Sequence, residues 1–485
     1  MNIKARPYFK LLFYFALLLA TFQLKAQEGE PKKWSLDKCI QYARENNIQV
    51  QQSEINQKIA EQDLKASKYN VLPNLNGFAS HIYNFGQTID PFTNQFATSR
   101  VRSNQFSLSS TFTVFNGFQT INSVKRNQAN LKASEYELEK MKNDIALNIA
   151  NQYLQILFNR ELLKNAENQL DVTQIQIDRI KKQVAAGALP EGSLRDIEAQ
   201  AASEELQVIN AQNQLQLSKL NLAQMLRMEN AEDFEIVTPN LNDFQGVSEM
   251  ISPGALYLTA LEVMPEVKSA QYNLYSAEKS KSLAKGAYSP SLSLTGSVGS
   301  GYSGRNREVV ETEFLGLPPN GNVTQGGEVI LSPNIRPIYQ DKAFMDQIEE
   351  NYNRSFGFRL NIPIFNGMSA RTNVQKAKLN MQQAELALED TKLQLRQNIE
   401  SAHNDAVAAL KRYRAAEKSV EALELSFQYT QERFNVGMLN SFDFNNEKNR
   451  LNNARSELLQ AKYEYIFKSK VLDFYQGKAI QLNSN

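Results

Sequence analysis

The fold is decided by the stretch QFSLSSTFTVFNGF at residues 105–118, which returns in altered form as SFGFRLNIPIFNGM at residues 355–368. Both stretches alternate apolar with polar side chains and then end on Phe-Asn-Gly and one further apolar residue. Alternation with a period of two is typical of a β-strand with one apolar and one polar face. The two copies are 250 residues apart, and so are Gly187 and Gly437, each at the end of a helical pattern. The sequence therefore predicts an internal two-fold repeat.

Around these strands the apolar side chains recur with the period of helices. The elements predicted for the first repeat, residues 27–245, are helix 35–69, strands 74–85 and 105–115, helix 118–186 and helix 193–227. Those predicted for the second repeat, residues 246–485, are helix 253–288, strands 291–302 and 354–365, helix 368–436, helix 441–474 and a C-terminal belt segment. A helix of about 70 residues is about 105 Å long at ~1.5 Å per residue, far beyond a globular domain. Each repeat is thus expected to carry a long rod and a shorter returning helix.

The length of the strands distinguishes a membrane barrel from a soluble sandwich. Gln105–Val114 and Ser355–Ile364 span ten residues each, close to the ~9–11 that cross a bilayer at a tilt. A barrel is therefore favoured. Four strands per chain cannot close one, and an open edge in lipid leaves unpaired backbone groups that cost several kcal/mol each. Twelve strands from a homotrimer are the smallest cyclic assembly expected to leave an open lumen.

The composition excludes several classes of function. The chain is 22% charged and 42% hydrophobic, with a mean hydropathy of −0.46, too polar for a helical membrane protein and too apolar for a disordered one. Two histidines and one cysteine leave little material for a transition-metal site or a catalytic triad. We therefore expect no enzyme, no catalytic residues, no metal and no cofactor. The chain also has no basic cluster of the kind that binds nucleic acid.

The first 26 residues have the pattern of an export signal. Three basic residues precede the apolar run Leu11–Phe22, and Ala26 supplies a small residue for cleavage. Removing this signal peptide, residues 1–26, changes the formal net charge from +1 to −3. No apolar run of about 18 residues follows it. Any membrane contact of the mature chain must then be made by strands.

The order and double occurrence of these motifs resemble the TolC-like outer-membrane efflux proteins. The motifs are Leu-Pro-x-Leu or Ser-Pro-x-Leu before a strand, Val-Phe-Asn-Gly and Pro-Ile-Phe-Asn-Gly at strand ends, and Val436-Gly437 at a helix tip, over about residues 34–478. The resemblance implies an α+β membrane protein: a trimeric 12-stranded outer-membrane β-barrel, four strands per chain, continuous with a long periplasmic α-helical barrel. It implies a passive exit duct of a tripartite efflux or type I secretion system. Its partners would be outer membrane lipid, a periplasmic adaptor and an inner-membrane pump.

The turns at the far ends of the long helices are the candidate docking tips. The candidate docking residues are Gly187, Leu189, Ser193, Val436, Gly437, Leu439 and Ser441. Ordinary turn chemistry accounts for a glycine that ends one helix and a serine that caps the next. The two leucines favour docking in addition, because a leucine at a solvent-facing turn has little structural use without a partner.

Carboxylates follow each tip and are the candidate pore constriction. Asp196 and Glu198 lie in the first repeat and Asp443 in the second, where a helix N-terminus favours a carboxylate without any further role. By the resemblance, Asp443 matches the first of two aspartates that ring the pore in this family. Asn446 stands in place of the second, and Leu439 stands in place of the family's tip arginine.

A second class of function remains open: a periplasmic coiled-coil scaffold or adaptor whose strands form a soluble sandwich. The strand surface distinguishes the two, since a membrane barrel needs aromatic girdles. The candidates for such girdles are Phe106, Phe112, Phe356 and Phe358. In a barrel, the segments 86–103 and 303–353 between strands lie on the extracellular side.

Overall fold

The computed structural model describes residues 33–90, 92–97, 100–228, 234–239 and 251–481. The expected signal peptide lies outside these residues, as does the end of the expected C-terminal belt segment, residues 482–485. None of the described helices combines the length and apolarity needed to cross a membrane.

The chain divides into two compact units. Of the described residues, those within Met1–Lys58, Ala133–Gln271 and Ala387–Asn485 form one unit, and those within Ile59–Lys132 and Tyr272–Leu386 form the other. Within the described residues, the first unit is built from helices, and the second contains every named strand as well as helical segments.

The helices follow the repeat. The first repeat has α1 (Leu36–Asn46), α2 (Ile48–Tyr69), α3 (Gln119–Ala185) and α4 (Glu191–Met225). The second repeat has α5 (Pro253–Val263), α6 (Pro265–Lys285), α7 (Phe344–Glu350), α8 (Ser369–Asn435) and α9 (Ser441–Tyr475). Helices α3 and α8 have 67 residues each, and α4 and α9 have 35 each. Every boundary of α8 and α9 is that of α3 and α4 shifted by 250 residues, so the two hairpins are copies of one plan.

The opening helix of each repeat is broken, which corrects the prediction of single helices over 35–69 and 253–288. Asn47 separates α1 from α2 with an extended backbone, and its side chain accepts a hydrogen bond from Gln49 N at 2.9 Å. Met264 separates α5 from α6, because Pro265 disfavours a helical backbone at the residue before it.

Ten strands are present in the described residues. They are β1 (Asn74–Asn84), β2 (Thr88–Ile89), β3 (Phe96–Ala97), β4 (Val101–Phe115), β5 (Ser291–Ser303), β6 (Arg307–Phe314), β7 (Pro319–Val323), β8 (Val329–Leu331), β9 (Ile335–Asp341) and β10 (Asn353–Asn361). The order β1–β4–β5–β10 forms a four-stranded antiparallel sheet, and the other strands pair as β2–β3, β6–β9 and β7–β8. Strand β10 ends four residues before its predicted end at residue 365, consistent with Pro363, which has no N–H for a ladder.

The register of the four-stranded sheet sorts its side chains onto two faces. Phe112 lies opposite Leu294, which lies opposite Phe358. The apolar face carries Phe106, Leu108, Phe112, Leu294, Val298, Phe356, Phe358 and Leu360, and the polar face carries Ser107, Ser109, Thr111, Ser293, Thr295, Ser297, Ser355 and Arg359. Phe356 and Phe358 are 73% and 69% exposed. All four predicted girdle phenylalanines are therefore on one face, and the single chain leaves that face largely uncovered.

A buried polar network fastens two inter-strand loops to the end of β5. Gln347 exchanges hydrogen bonds with the backbone of Ser303, donating to its carbonyl at 3.0 Å and accepting from its N–H at 2.9 Å. The Ser303 hydroxyl donates to the carboxylate of Asp90, which also accepts from the N–H groups of Phe92 and Thr93 at 2.9 and 3.0 Å. Because the buried side chains of Gln347, Ser303 and Asp90 all have hydrogen-bond partners, the loops before β4 and after β5 are fixed at this end of the sheet.

The helical unit has two apolar cores. The larger surrounds α1 and α3 and includes Trp34, Cys39, Ile149, Tyr153, Leu222, Phe234 and Ile236. The Tyr153 hydroxyl lies 2.6 Å from Val237 O and 3.1 Å from Trp34 O, so it holds the segments at both ends of the first repeat against α3. The second core joins α5, α8 and α9 through Leu256, Ala260, Leu395, Ile399, Ala406 and Leu472.

Candidate functional site

Two turns, one between α3 and α4 and one between α8 and α9, form the candidate docking tips. Gly187 and Gly437 have φ angles of +70° and +78°, the left-handed conformation that commonly ends a helix. In both tips the residue after the glycine donates its N–H to the carbonyl five positions earlier, at 2.9 Å. The two tips therefore share one backbone geometry, as their 250-residue relationship predicts.

The serine caps predicted for the returning helices are wrong. Helix α4 begins directly after Pro190, so Ser193 lies inside its first turn. Asn440, not Ser441, caps α9: its side-chain oxygen accepts from Asp443 N at 2.8 Å. Asparagine caps a helix as well as serine does, whereas Pro190 precedes α4 without a side-chain cap.

The apolar side chains exposed at the tips differ from those predicted. Leu189 and Leu439 are half-buried. The exposed ones are Val436, Met438 and Phe442, at 71%, 71% and 72%. Val436 is among the predicted docking residues, whereas the prediction omits Met438 and Phe442 because it places Leu439 at the exposed centre of the tip. Residue type alone does not show which apolar side chains of the turn are exposed; the exposure of each side chain in the structure does.

The two tips have the same backbone geometry but different side chains. The positions that correspond to the three exposed side chains of the second tip hold Ala186, Ala188 and Gly192 in the first. All three are exposed, but they offer almost no apolar surface. The second tip is therefore the apolar one.

The candidate constriction residues lie on two helices. Asp443 and Asn446 are exposed on α9, and a spacing of three places them on one helix face. Asp196 is exposed on α4, whereas Glu198 is half-buried and paired with Arg195 at 2.9 Å. Within the described part of the chain no ion pair involves Asp443 or Asp196, so these two carboxylates are the free ones.

The two hairpins are joined close to their tips by Arg179 of α3 and Asn435 of α8. The Arg179 guanidinium donates to the side-chain oxygen of Asn435 and, at 3.2 Å, to its backbone carbonyl. The sequence alone offered no sign of this link, because both residues look like ordinary solvated positions.

A buried ion pair joins the returning helices α9 and α4, and the sequence does not predict it. Lys448 Nζ of α9 is 3.0 and 3.3 Å from the two carboxylate oxygens of Glu204 of α4, and the side chains are 6% and 1% exposed. Lys448 also donates to Gln169 O at 3.0 Å and to the Thr173 hydroxyl, both on α3. Gln200 donates to Glu204 at 2.8 Å. Three helices thus meet at one charged cluster.

The electrostatics of this cluster follow from its burial. Desolvation lowers the pKa of Lys448, and the nearby Glu204 carboxylate opposes that effect. The two residues are 244 positions apart on polar helices, so no local pattern could pair them.

Groups that could carry chemistry are sparse. No cluster of three His, Cys, Asp or Glu side chains suited to a metal occurs among the residues that the structure describes. Burial raises the pKa of the Cys39 thiol to about 12, which leaves it protonated and unreactive at neutral pH.

Solved structures with this architecture are bacterial outer membrane proteins. The CmeC outer membrane channel of Campylobacter jejuni matches with a TM-score of 0.73 at 18% identity, over 93% of this chain and 87% of that one. The outer membrane protein VceC of Vibrio cholerae matches with 0.71 at 16%, over 92% and 96%. The open state of the MtrE outer membrane channel of Neisseria gonorrhoeae matches with 0.68 at 18%, over 93% and 90%. The chain has the fold of these three proteins.

Residues 39–226 and 256–477 match the family of outer membrane efflux proteins, one range in each repeat. The chain belongs to the outer membrane efflux protein family. It is accordingly an outer-membrane protein with a helical portion in the periplasm. A search of curated proteins gives no match.

Proposed function

We propose that three copies of this chain form the passive outer-membrane exit duct of a tripartite efflux or type I secretion system. The sheet supports the threefold assembly, because β1 and β10 are its two open edges. Pairing β1 of each copy with β10 of the next would give twelve strands and satisfy the edge groups. The apolar face would then meet outer membrane lipid and the polar face would line the lumen.

The exposed apolar residues of the second tip are the observation that supports docking. Val436, Met438 and Phe442 are exposed on a turn that we place in the periplasm. Three neighbouring apolar side chains are unfavourable in water and indicate a surface that a partner covers. A periplasmic adaptor that covers them, and that is itself bound to an inner-membrane pump, is the partner with this chemistry. The remaining proposed docking residues are Gly187, Leu189, Ser193, Gly437, Leu439 and Ser441.

The constriction is proposed at Asp443, repeated three times around the axis of the trimer. Asn446, one turn further along α9, adds no charge, and Asp196 is the next candidate. Glu198 is the weakest candidate, since its carboxylate is already paired with Arg195. The duct needs no chemistry of its own, because the partner pump supplies the energy.

A periplasmic scaffold remains the second candidate function, but two observations weigh against it. The family is one of outer membrane proteins. A soluble sandwich would also need a second sheet over the exposed apolar face, and the other sheets of the described chain have only two strands each.

The decisive experiment replaces the apolar side chains of the second tip. We expect M438S/F442S to lower adaptor affinity and dye export by about tenfold or more, the size of a hot-spot loss, while trimer formation stays unchanged. The matched control is A188S at the corresponding position of the first tip, which should export normally. Export is measured as dye accumulation in cells that lack the wild-type gene, and trimers by light scattering in detergent. Normal export by M438S/F442S, or a monomeric wild type, would overturn the proposal.

A further inference from the structure

We propose that an apolar seam between α2 and α8 joins neighbouring copies of this chain. Ile55 and Ile59 on α2 of one copy would pack against Leu379 and Leu386 on α8 of the next copy. The inference rests on the threefold assembly proposed above, and it adds a contact between helices, with a defined register, to the pairing of β1 with β10. The name helix seam is used below for these four residues.

Four helical segments follow one another in the unit that contains the sheet. Helix α2 contacts α3, α3 contacts α6, and α6 contacts α8. The contacts are Asn127 Nδ2 to Asp63 O at 3.1 Å, Ser276 Oγ to Asn130 Oδ1 at 2.5 Å and Lys281 Nζ to Met381 Sδ at 3.5 Å. The order α2–α3–α6–α8 is that of the strands β1–β4–β5–β10 to which these helices connect. The two outer helices therefore continue the two open edges of the sheet.

Both outer helices carry large aliphatic side chains that the described part of the chain leaves uncovered. Ile55 and Ile59 are 55% and 54% exposed, and Leu379 and Leu386 are 62% and 65% exposed. Leu379 is two positions from Met381, and two positions turn about 200° around a helix. Leu379 therefore lies on the side of α8 opposite to the contact with α6.

The internal repeat indicates what covers such a face. Helix α8 begins 250 residues after α3, and both α6 and β5 begin 217 residues after α2 and β1. Ile59 of α2 therefore corresponds to Ser276 of α6, and Asn380 of α8 corresponds to Asn130 of α3. Ser276 contacts Asn130 within one chain. The same packing between two copies places Ile59 beside Asn380 and its neighbour Leu379.

The positions of these residues along the helices agree with that register. Ile59 lies ten residues before the end of α2 at Tyr69, and Leu379 lies ten residues after the start of α8 at Ser369. Both are thus about 15 Å from the helix end that leads to an edge strand. Pairing β1 of one copy with β10 of the next brings these helix ends together, so the two side chains meet at one level.

The uncovered face of α8 is also the more aliphatic of the two related faces. Leu379 and Leu386 stand where α3 has Ala129 and Tyr136, and Ala129 is buried within the chain. The spacing of seven between the two leucines is that of helices that pack side by side. Large aliphatic side chains on otherwise polar helices are stabilising where a partner removes them from water. A second copy is that partner, because a closed threefold ring covers both outer helices of every copy.

The test crosslinks copies through cysteines placed in the helix seam, in a C39A background. We treat membranes with a bismaleimide that spans about 8–10 Å, the usual distance between the axes of packed helices. We expect I59C/L379C to give covalent trimers on a denaturing gel, whereas I59C alone and L379C alone give none. The matched register control is I59C/L393C, which should also give none, because residue 393 lies about 21 Å further along α8.

A second measurement asks whether the helix seam stabilises the trimer. L379S/L386S should raise the protein concentration at which half of the copies are trimeric in detergent by about tenfold or more, as expected for the loss of buried anchor residues. The matched control is L317S, between β6 and β7, where the leucine is 51% exposed. This variant should assemble like wild type.

Four outcomes would overturn the inference: trimers of I59C/L379C that do not crosslink, equal crosslinking of I59C/L393C, an L379S/L386S trimer as stable as wild type, or an equal loss in L317S. If I59C/L379C does not assemble, I55C/L386C tests the same contact in the same way. Failure of the proposed function is a separate observation, since it would appear as a monomeric wild type or as a wild type without channels in planar bilayers.

Discussion

Lys448 and Glu204 form an ion pair at 3.0 Å in which both charges are almost fully withdrawn from water. The free-energy cost of removing two charges from water is nearly as large as the free energy gained from their attraction. Such a pair therefore adds little net stability. Removing only one partner is strongly destabilising, because the remaining charge stays buried without a counter-charge. We infer that the pair fixes how α4 packs against α9 while adding little to the free energy of unfolding.

Replacing one partner of this pair should be strongly destabilising. K448M leaves the Glu204 carboxylate buried without its counter-charge and should cost about 3–5 kcal/mol, whereas K448M/E204L should cost less than K448M alone. The exposed pair Arg396–Glu400 provides the control, since R396Q should cost about 0–1 kcal/mol. Unfolding is followed by circular dichroism in detergent. A K448M protein as stable as R396Q would contradict the assignment.

The junction glycines of the two repeats should respond differently to one methyl group. Gly117 and Gly367 have φ angles of +65° and +61°, so alanine carries the same left-handed penalty of about 1–2 kcal/mol at both. A Cβ on Gly117 would lie 2.5 Å from Gly286 O and from Ser289 Cβ, whereas one on Gly367 meets nothing within 4 Å. We expect G117A to be less stable than G367A by about 1–3 kcal/mol, the usual cost of overpacking. Equal melting temperatures would show that the junction relaxes.

The constriction proposal predicts a change of ion preference. Planar-bilayer conductance of wild type should be cation-selective, and D443N should reduce the selectivity because the proposed constriction of the trimer loses three carboxylates. N446D adds three carboxylates and should sharpen it. Both effects should weaken at high salt, where the Debye length of ~10 Å at 0.1 M shrinks. If neither variant alters the reversal potential, Asp443 is only a helix-start carboxylate, and D196N is measured next.

Cys39 should be silent to thiol reagents in the folded protein. Burial raises its pKa from 9.0 to about 12, so at pH 8 the folded thiol is protonated and shielded. Maleimide should label wild type only after denaturation, and C39A not at all. Since the folded pKa is raised, the thiol's contribution to stability is complete below about pH 9 and is lost as the pH rises toward 12. Rapid labelling of native protein at pH 8 would contradict this burial.

The repeat made much of the architecture predictable. One 250-residue shift relates Phe-Asn-Gly to its copy, and the structure has left-handed glycines at both copies and at both tips. The alternation around Phe106 and Phe356 placed both on an apolar face before any register was known. Periodicity is a local property of the chain, so local sequence carries it.

The parts that could not be predicted depend on long-range contacts or on burial. Nothing near Lys448 indicates a partner 244 residues away. The position of Leu439 in a turn predicts that it is exposed, yet it is Met438 and Phe442 that face solvent. Which side of a turn is buried depends on its packing against distant parts of the chain, and the local sequence does not contain that information. The helix break at Met264 could have been predicted, because Pro265 disfavours a helical backbone at the residue before it. The helical pattern on both sides of the break favoured a single helix instead.

The open edges β1 and β10 also have a genetic consequence. In the proposed threefold ring each copy must offer both edges, so a subunit with one blocked edge can enter an assembly through the other and still prevent its closure. Such an allele, expressed equally with the wild type, would leave only about one eighth of the trimers free of defective subunits if mixing is random. Edge mutations in this chain should therefore be dominant, while mutations that merely prevent folding should be recessive.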